Sequence, residues 1–229
     1  MSYTLITANR NYSSWSLRPW LLMTALGIPF EDQQVRFAGA SNWAAFRAFS
    51  PTGQVPVLID RERTVWDSLG IAIYLAERHQ GVWPADEAAR GWAYGAVAEM
   101  HGGFAALRNE RPMNVGVRVT PFGGSPALAR DLERLGELWS EGLERFGGPW
   151  LAGNTFSAAD AFFASVAFRL RTYGIELPAA AAAYAERLLA HPAMRSWEAA
   201  ALAETWRDDD HEAELASVGT VTEDRRATV

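Results

Sequence analysis

Residues 51–79 read PTGQVPVLIDRERTVWDSLGIAIYLAERH, a turn, a hairpin and a capped helix in under thirty residues. Pro51 to Gly53 carries turn chemistry. Pro56 has no N–H to give to a ladder, which suits the first position of a strand running to Asp60. RTVW (Arg63 to Trp66) pairs back on that strand across Asp60 to Glu62, and Asp67 and Ser68 precede an apolar helical run to His79, an N-cap signature. Upstream, YTLITA (Tyr3 to Ala8) alternates like a strand. LRPWLLMTAL (Leu17 to Leu26) then repeats apolar residues at a helical period up to Gly27, a C-cap, with Pro19 expected in the first turn. A strand over Phe30 to Val35 and a short helix over Asn42 to Ala48, capped by Ser41, complete a βαβαββα order. That order predicts an α/β unit with a small mixed sheet.

Beyond Ala85 the strand signals fade. Helical patterns cover Ala85 to Asn109, Ser125 to Phe146, Ser157 to Arg171, Ala179 to Ala190 and Pro192 to Glu204, broken by TPFGGSP and FGGPWLAG. The expected organisation is an α/β domain over 1–80, a linker over 81–88, an all-helical domain over 89–205 and an acidic, poorly ordered or surface-draped tail over 206–229.

Composition narrows the chemistry. The 229 residues are 49% hydrophobic and 21% charged, which is globular, and they include neither Cys nor Lys. A thiol nucleophile, a disulfide frame, a thiolate metal site, a Schiff-base lysine and an ordinary P-loop are therefore excluded from the protein itself. His79, His101, His191 and His211 are too far apart for a zinc pair on one helix, so no metal is expected. Net charge is −6, and Trp206 to Val229 carries seven acids against three Arg. The nearly neutral body offers no basic field for nucleic acid. No apolar run approaches the roughly 18 residues that cross a bilayer, and the N-terminus does not read as a signal peptide. A cytoplasmic protein that engages neither nucleic acid nor membrane is the expectation.

Four segments in order carry a family resemblance: YSSWSLRPW after the first strand, GQVPVL, WDSLGIAIYLAE, and FSAADAFFASV in the helical half. Together they resemble the glutathione transferase superfamily, whose architecture is a thioredoxin-like α/β domain followed by an all-α domain. YSSWSLRP is most similar to the SSCxxxR signature of the zeta class, with Trp15 where that signature has Cys, so the chain is identified as a serine-type bacterial member near zeta and theta. The resemblance implies glutathione as co-substrate, a small electrophile as second substrate, and a homodimer.

It also implies roles for particular residues, each beside a plainer reading. A cis Val55–Pro56 bond would offer the Val55 backbone to the cysteinyl unit of glutathione, a small case of β-augmentation; the alternative is an ordinary turn. Asp67 and Ser68 would hold the γ-glutamyl end at a helix N-terminus, or simply cap it. Ser41, or neighbouring Asn42, stands near the glycyl end. The glutathione thiol, with a pKa of about 8.5, would be lowered by about two units, roughly 2.7 kcal/mol, by a serine hydroxyl and the helix dipole. Ser13 is the first candidate and Ser14 the second, since a one-residue slip exchanges them; Ser16 reads as the helix cap, and Arg18 adds positive potential. A run of hydroxyls ahead of a helix is most often capping alone. On the helical side, Arg108 matches a glutathione-contacting position, while His101, Arg111 and Arg169 are candidates near the second substrate. SAAD (Ser157 to Asp160) reads as a structural capping box. Three activities fit: a transferase, a zeta-like glutathione-dependent isomerase of the maleylacetoacetate type, and a ligand-binding module without chemistry.

Overall fold

The structure, a computed structural model, describes residues 3–37 and 42–228. Its first half contains β1 (Tyr3–Thr7), α1 (Ser14–Ala25), β2 (Phe30–Gln34), α2 (Trp43–Phe46), β3 (Val57–Asp60), β4 (Arg63–Val65) and α3 (Ser68–Ala76). The strand order is β2-β1-β3-β4, with β1 parallel to β2 and antiparallel to β3, and β3 antiparallel to β4. Burial follows position in the sheet. Central β1 hides Tyr3, Leu5, Ile6 and Thr7, whereas edge strand β2 alternates between half-buried and exposed residues. Gly27 ends α1 at φ +65°, the left-handed C-cap expected of it. Pro19 lies deeper than the first turn, because α1 starts at Ser14 rather than Leu17.

The second half contains α4 (Glu87–Gly102), α5 (Ala105–Glu110), β5 (Val117–Pro121), α6 (Pro126–Phe146), α7 (Ala158–Tyr173), α8 (Ala179–Ala190), α9 (Pro192–Ala203), α10 (Asp209–Val218) and β6 (Gly219–Asp224). Nearly every residue of α7 is buried, so it forms the axis of the core, and α1 and α4 pack directly against it. The Ser157 box caps α7 as expected: its hydroxyl accepts from Ala159 N at 3.3 Å, and Asp160 accepts from Ser157 N at 2.9 Å. Asp160 also accepts from Leu151 N and the Tyr184 hydroxyl, both at 3.0 Å. Burial pushes its carboxyl up to about 6 against the pull of these bonds.

Two expectations are corrected. The helix expected over Ala85 to Asn109 breaks at Gly103, and Phe104 enters the left-handed region at φ 52° to start α5. The acidic tail is not poorly ordered: residues 209–218 form α10 and β6 pairs antiparallel with β5, while most of these residues stay exposed. Neither strand has a local partner, which is why both escape a reading that looks for nearby hairpins. Val117 and Val119 do alternate inward, a period of two hidden among helices.

Candidate active site

A cavity of about 830 Å³ opens between the two halves. It is walled by the loop into α1 (Tyr12, Ser13, Ser14, Trp15), the turn before β3 (Gly53 to Pro56), the start of α3 (Asp67), the region after α4 (Arg108, Met113), Arg169 of α7, and His211 and Glu214 of α10.

The α1 side owes its shape to a hydroxyl relay. Ser13 is the N-cap, yet its side chain makes no cap bond; its Oγ donates to Ser16 Oγ at 2.7 Å, and Ser16 Oγ accepts from Ala8 N at 3.2 Å. Ser16 is therefore not the cap that the sequence suggested. It sits fully buried inside α1, ties the helix to the end of β1, and does not line the cavity. The Ser14 hydroxyl lines the cavity, and no hydrogen-bond partner for it occurs among the described residues.

Across the cleft, Val55–Pro56 is cis, as the resemblance implied, and both residues line the cavity. Gly53 holds φ +66° in the preceding turn, and a Cβ there would come within 2.6 Å of the Trp43 ring, so the turn requires glycine. Asp67 caps α3, accepting from Leu69 N at 2.8 Å and Gly70 N at 3.4 Å while facing the cavity. Ser68 is buried behind it, with Arg18 Nη1 at 3.5 Å from its Oγ. Ser41 lies outside the described residues; Asn42 lines the cavity.

Positive charge gathers on the helical side. Arg18 is fully buried, with its guanidinium 4.0 Å from the Trp15 ring centroid and 5.0 Å from that of Phe162. Its Nε and Nη2 have no partner among the described residues. Burial pushes Arg18 down to about 9, with Arg108 and Arg169 adding to the shift and Asp67 opposing it, so it still carries its charge at pH 7. Arg108 and Arg169 both line the cavity. Arg169 is held by Arg111 O at 2.8 Å and Ser165 O at 3.2 Å. Arg111 itself donates to the Glu110 and Gly123 carbonyls and does not line the cavity. His101 also lies behind the wall, 3.3 Å from Asp67 Oδ2 and edge-on to Trp15. Burial lowers its pKa, so it is mainly neutral at pH 7.

Sequence reasoning missed the α10 wall. Glu204 is the keystone that brings it in: its buried carboxylate accepts from Arg10 N at 2.6 Å, Asn11 N at 3.3 Å, Asn11 Nδ2 at 3.1 Å and Gln34 Nε2 at 2.5 Å. The Tyr12 hydroxyl donates to Glu212 at 2.7 Å, and Arg226 grips the same carboxylate. The only advance sign was DDDHE, whose Asp208 has the residue type of an N-cap. Among the described residues no cluster of acids and histidines is able to hold a metal ion.

Comparison with known proteins gives this geometry a family. Residues 12–78 match the family described as glutathione S-transferase, N-terminal domain. The structure of a theta class glutathione S-transferase from Xanthomonas axonopodis pv. citri, with glutathione bound, superposes with a TM-score of 0.64 at 25% identity, covering 85% of this chain and 95% of that one. Residues 12–78 therefore form a glutathione S-transferase N-terminal domain, and the chain matches solved glutathione transferases in fold. Its fold is that of the superfamily, a thioredoxin-like domain followed by a helical region. The chain is also 26% identical over 154 residues to a zeta class glutathione S-transferase of Euphorbia esula, covering 66% of this chain and 68% of that protein. A dichloromethane dehalogenase of Methylorubrum extorquens is 41% identical over 61 residues, 26% of this chain, so the chain spans only 21% of that enzyme's length.

Proposed function

We propose that the protein is a glutathione transferase that binds glutathione across the cleft, its cysteinyl backbone on the Val55–Pro56 edge and its γ-glutamyl end at the start of α3. The thiol is ionised at the N-terminus of α1. One observation carries this reading: two serine hydroxyls at that helix start share a cavity with the cis-proline edge and the Asp67 cap. The thiolate then attacks an electrophilic carbon on the helical side. Ser14 is favoured as hydrogen-bond donor to the thiolate, because the Ser13 proton is engaged with Ser16. Halide displacement is a candidate reaction, after the name of the dehalogenase relative. An exposed apolar face holding Ile73 of α3 and Tyr94 of α4 supports a homodimer, and the absence of a membrane-crossing helix among the described residues is consistent with a cytoplasmic enzyme.

A second reading rests on the arginines. Arg108 and Arg169 line the cavity, and Arg18 behind them keeps two unpartnered nitrogens. Such a wall favours an acidic second substrate, and with it the zeta-like isomerase.

Titration of the protein with glutathione, following thiolate absorbance against pH in wild type, Ser13→Ala and Ser14→Ala, tests the main reading. A depressed thiol pKa restored by one substitution names the serine. Saturable binding with an unshifted pKa overturns the transferase reading and leaves a binding module.

A further inference from the structure

Ionising a thiol leaves a proton to place, and a serine that donates to the thiolate does not take it. We propose that His211 of α10, oriented by Asp208, accepts the proton of the glutathione thiol. This step rests on the glutathione reading above.

Most of the described lining residues are unable to take that proton. Arg108 and Arg169 are donors only. The Tyr12 hydroxyl donates to Glu212, and burial raises its pKa with help from that bond, so it stays protonated. Asp67 spends one oxygen on two backbone N–H groups and has its other oxygen beside His101. Glu214 is a carboxylate, several units less basic than a thiolate. The remaining lining group with a lone pair that takes up and gives back a proton is the imidazole of His211.

Geometry then fixes how His211 would act. Its Nδ1 lies 2.5 Å from Asp208 Oδ2. Asp208 is itself buried and locked as the N-cap of α10, accepting from His211 N at 3.3 Å. The carboxylate makes Nδ1 the protonated nitrogen and leaves the lone pair on Nε2, which has no hydrogen-bond partner among the described residues. The ring lies between Tyr12 and Phe37, both at 4.9 Å between centroids and within 28° of parallel. Tyr12 directly precedes Ser13, so the imidazole rests on the same loop that presents the serines. A ring stacked on both faces exchanges protons only at its edge.

Charged and aromatic groups surround His211 from several segments. Asp208 faces it from its own helix, and Glu212 and Glu214 follow on α10. Tyr12 packs on one face from the α1 loop and Phe37 on the other. Arg226, from beyond β6, is neutralised by Glu212 and Asp224.

In the step itself the thiol S–H bond breaks and an Nε2–H bond forms, giving thiolate and imidazolium. The thiolate pair then forms the S–C bond as the leaving group departs with its own electron pair. The imidazolium proton goes to that group or to water.

The experiment counts protons. Glutathione is mixed with the full-length protein in weak buffer containing an indicator dye at pH 7, and thiolate absorbance is recorded in parallel. Wild type is expected to form thiolate while releasing far less than one proton per site. His211→Phe, which keeps the stacking, and Asp208→Asn, which keeps the cap, should release a full proton for each thiolate formed. With 1-chloro-2,4-dinitrobenzene as probe, kcat/KM of His211→Phe should fall about 10²-fold near pH 6.5, with the deficit shrinking as pH rises. Variants with the wild-type proton count and pH profile overturn the role of His211 while leaving glutathione activation intact. Absence of glutathione binding to wild type overturns the underlying reading and this step with it.

Discussion

At the start of α7 the Ser157 hydroxyl accepts a backbone N–H while Asp160 returns a bond to Ser157 N; at the start of α1 the Ser13 hydroxyl turns aside to Ser16, and Ser14 faces a cavity with no partner among the described residues. Both helices begin at a serine. In α7 the lone pairs and orphan N–H groups of the first turn satisfy one another and are sealed by the core. In α1 the first-turn N–H groups lack a side-chain cap and the Ser14 hydroxyl is left to serve a ligand, the condition for anion binding at a helix N-terminus. Whether a serine is structural or chemical is decided by where its hydrogen bonds go, and residue type alone does not report that.

Substitutions can break this contrast or sharpen it. Asp160→Ala strips Leu151 N, Ser157 N and the Tyr184 hydroxyl of their acceptor and should cost about 4 kcal/mol in urea unfolding, while the bound-thiol pKa of the remaining folded protein stays at the wild-type value. A moved thiol pKa would show that the two helix starts are coupled. Ser14→Ala should do the reverse, raising the bound-thiol pKa by about one to two units, roughly 1.4 to 2.7 kcal/mol, the helix dipole keeping the remainder, with stability unchanged within about 0.5 kcal/mol. Ser157→Ala, a lost cap, should lower stability by about 1 to 2 kcal/mol in the same urea assay and leave the thiol alone. The smallest effect is in pH. Because burial holds the Asp160 carboxyl at about 6, above its unfolded value, folding takes up a proton on this group below that pH. The stability of wild type relative to Asp160→Asn should therefore fall by about 1 kcal/mol as pH rises from 5 to 7. A flat difference would mean that Asp160 ionises in the folded state as it does in the unfolded chain.

The sequence disclosed what is written locally. The βαβαββα order, the caps at Asp67 and Ser157, and the boundaries of α6 to α9 follow from patterns shorter than twenty-five residues. Ser13, Ser14, Val55, Pro56, Asp67, Arg108 and Arg169 do meet around one cavity. What escaped reading is made by distance. Ser16 looked like the cap because it stands in a hydroxyl run, and only the position of Ala8 shows it to be a buried tie. His101 shares a helical spacing with Arg108 but is cut off from it by the break at Gly103, and Arg111 stands at the non-helical end of α5; both lie behind the wall. β5 and β6 each need the other, and His211 reaches the cleft only because Glu204 fastens the end of α9 to residues 10, 11 and 34.

The bonds from Glu204 to Arg10, Asn11 and Gln34 and from Tyr12 to Glu212 join residues 170 to 200 positions apart. The cis-proline edge and the α1 and α3 starts, in contrast, are assembled within the first eighty residues. Long loops cost only slightly more to close than medium ones, but they close late, after local structure has formed. A chain still leaving the ribosome can thus shape the floor of its cleft long before it owns the opposite wall. That order gives the finished protein a seam, and the same seam is where water would first re-enter on local unfolding.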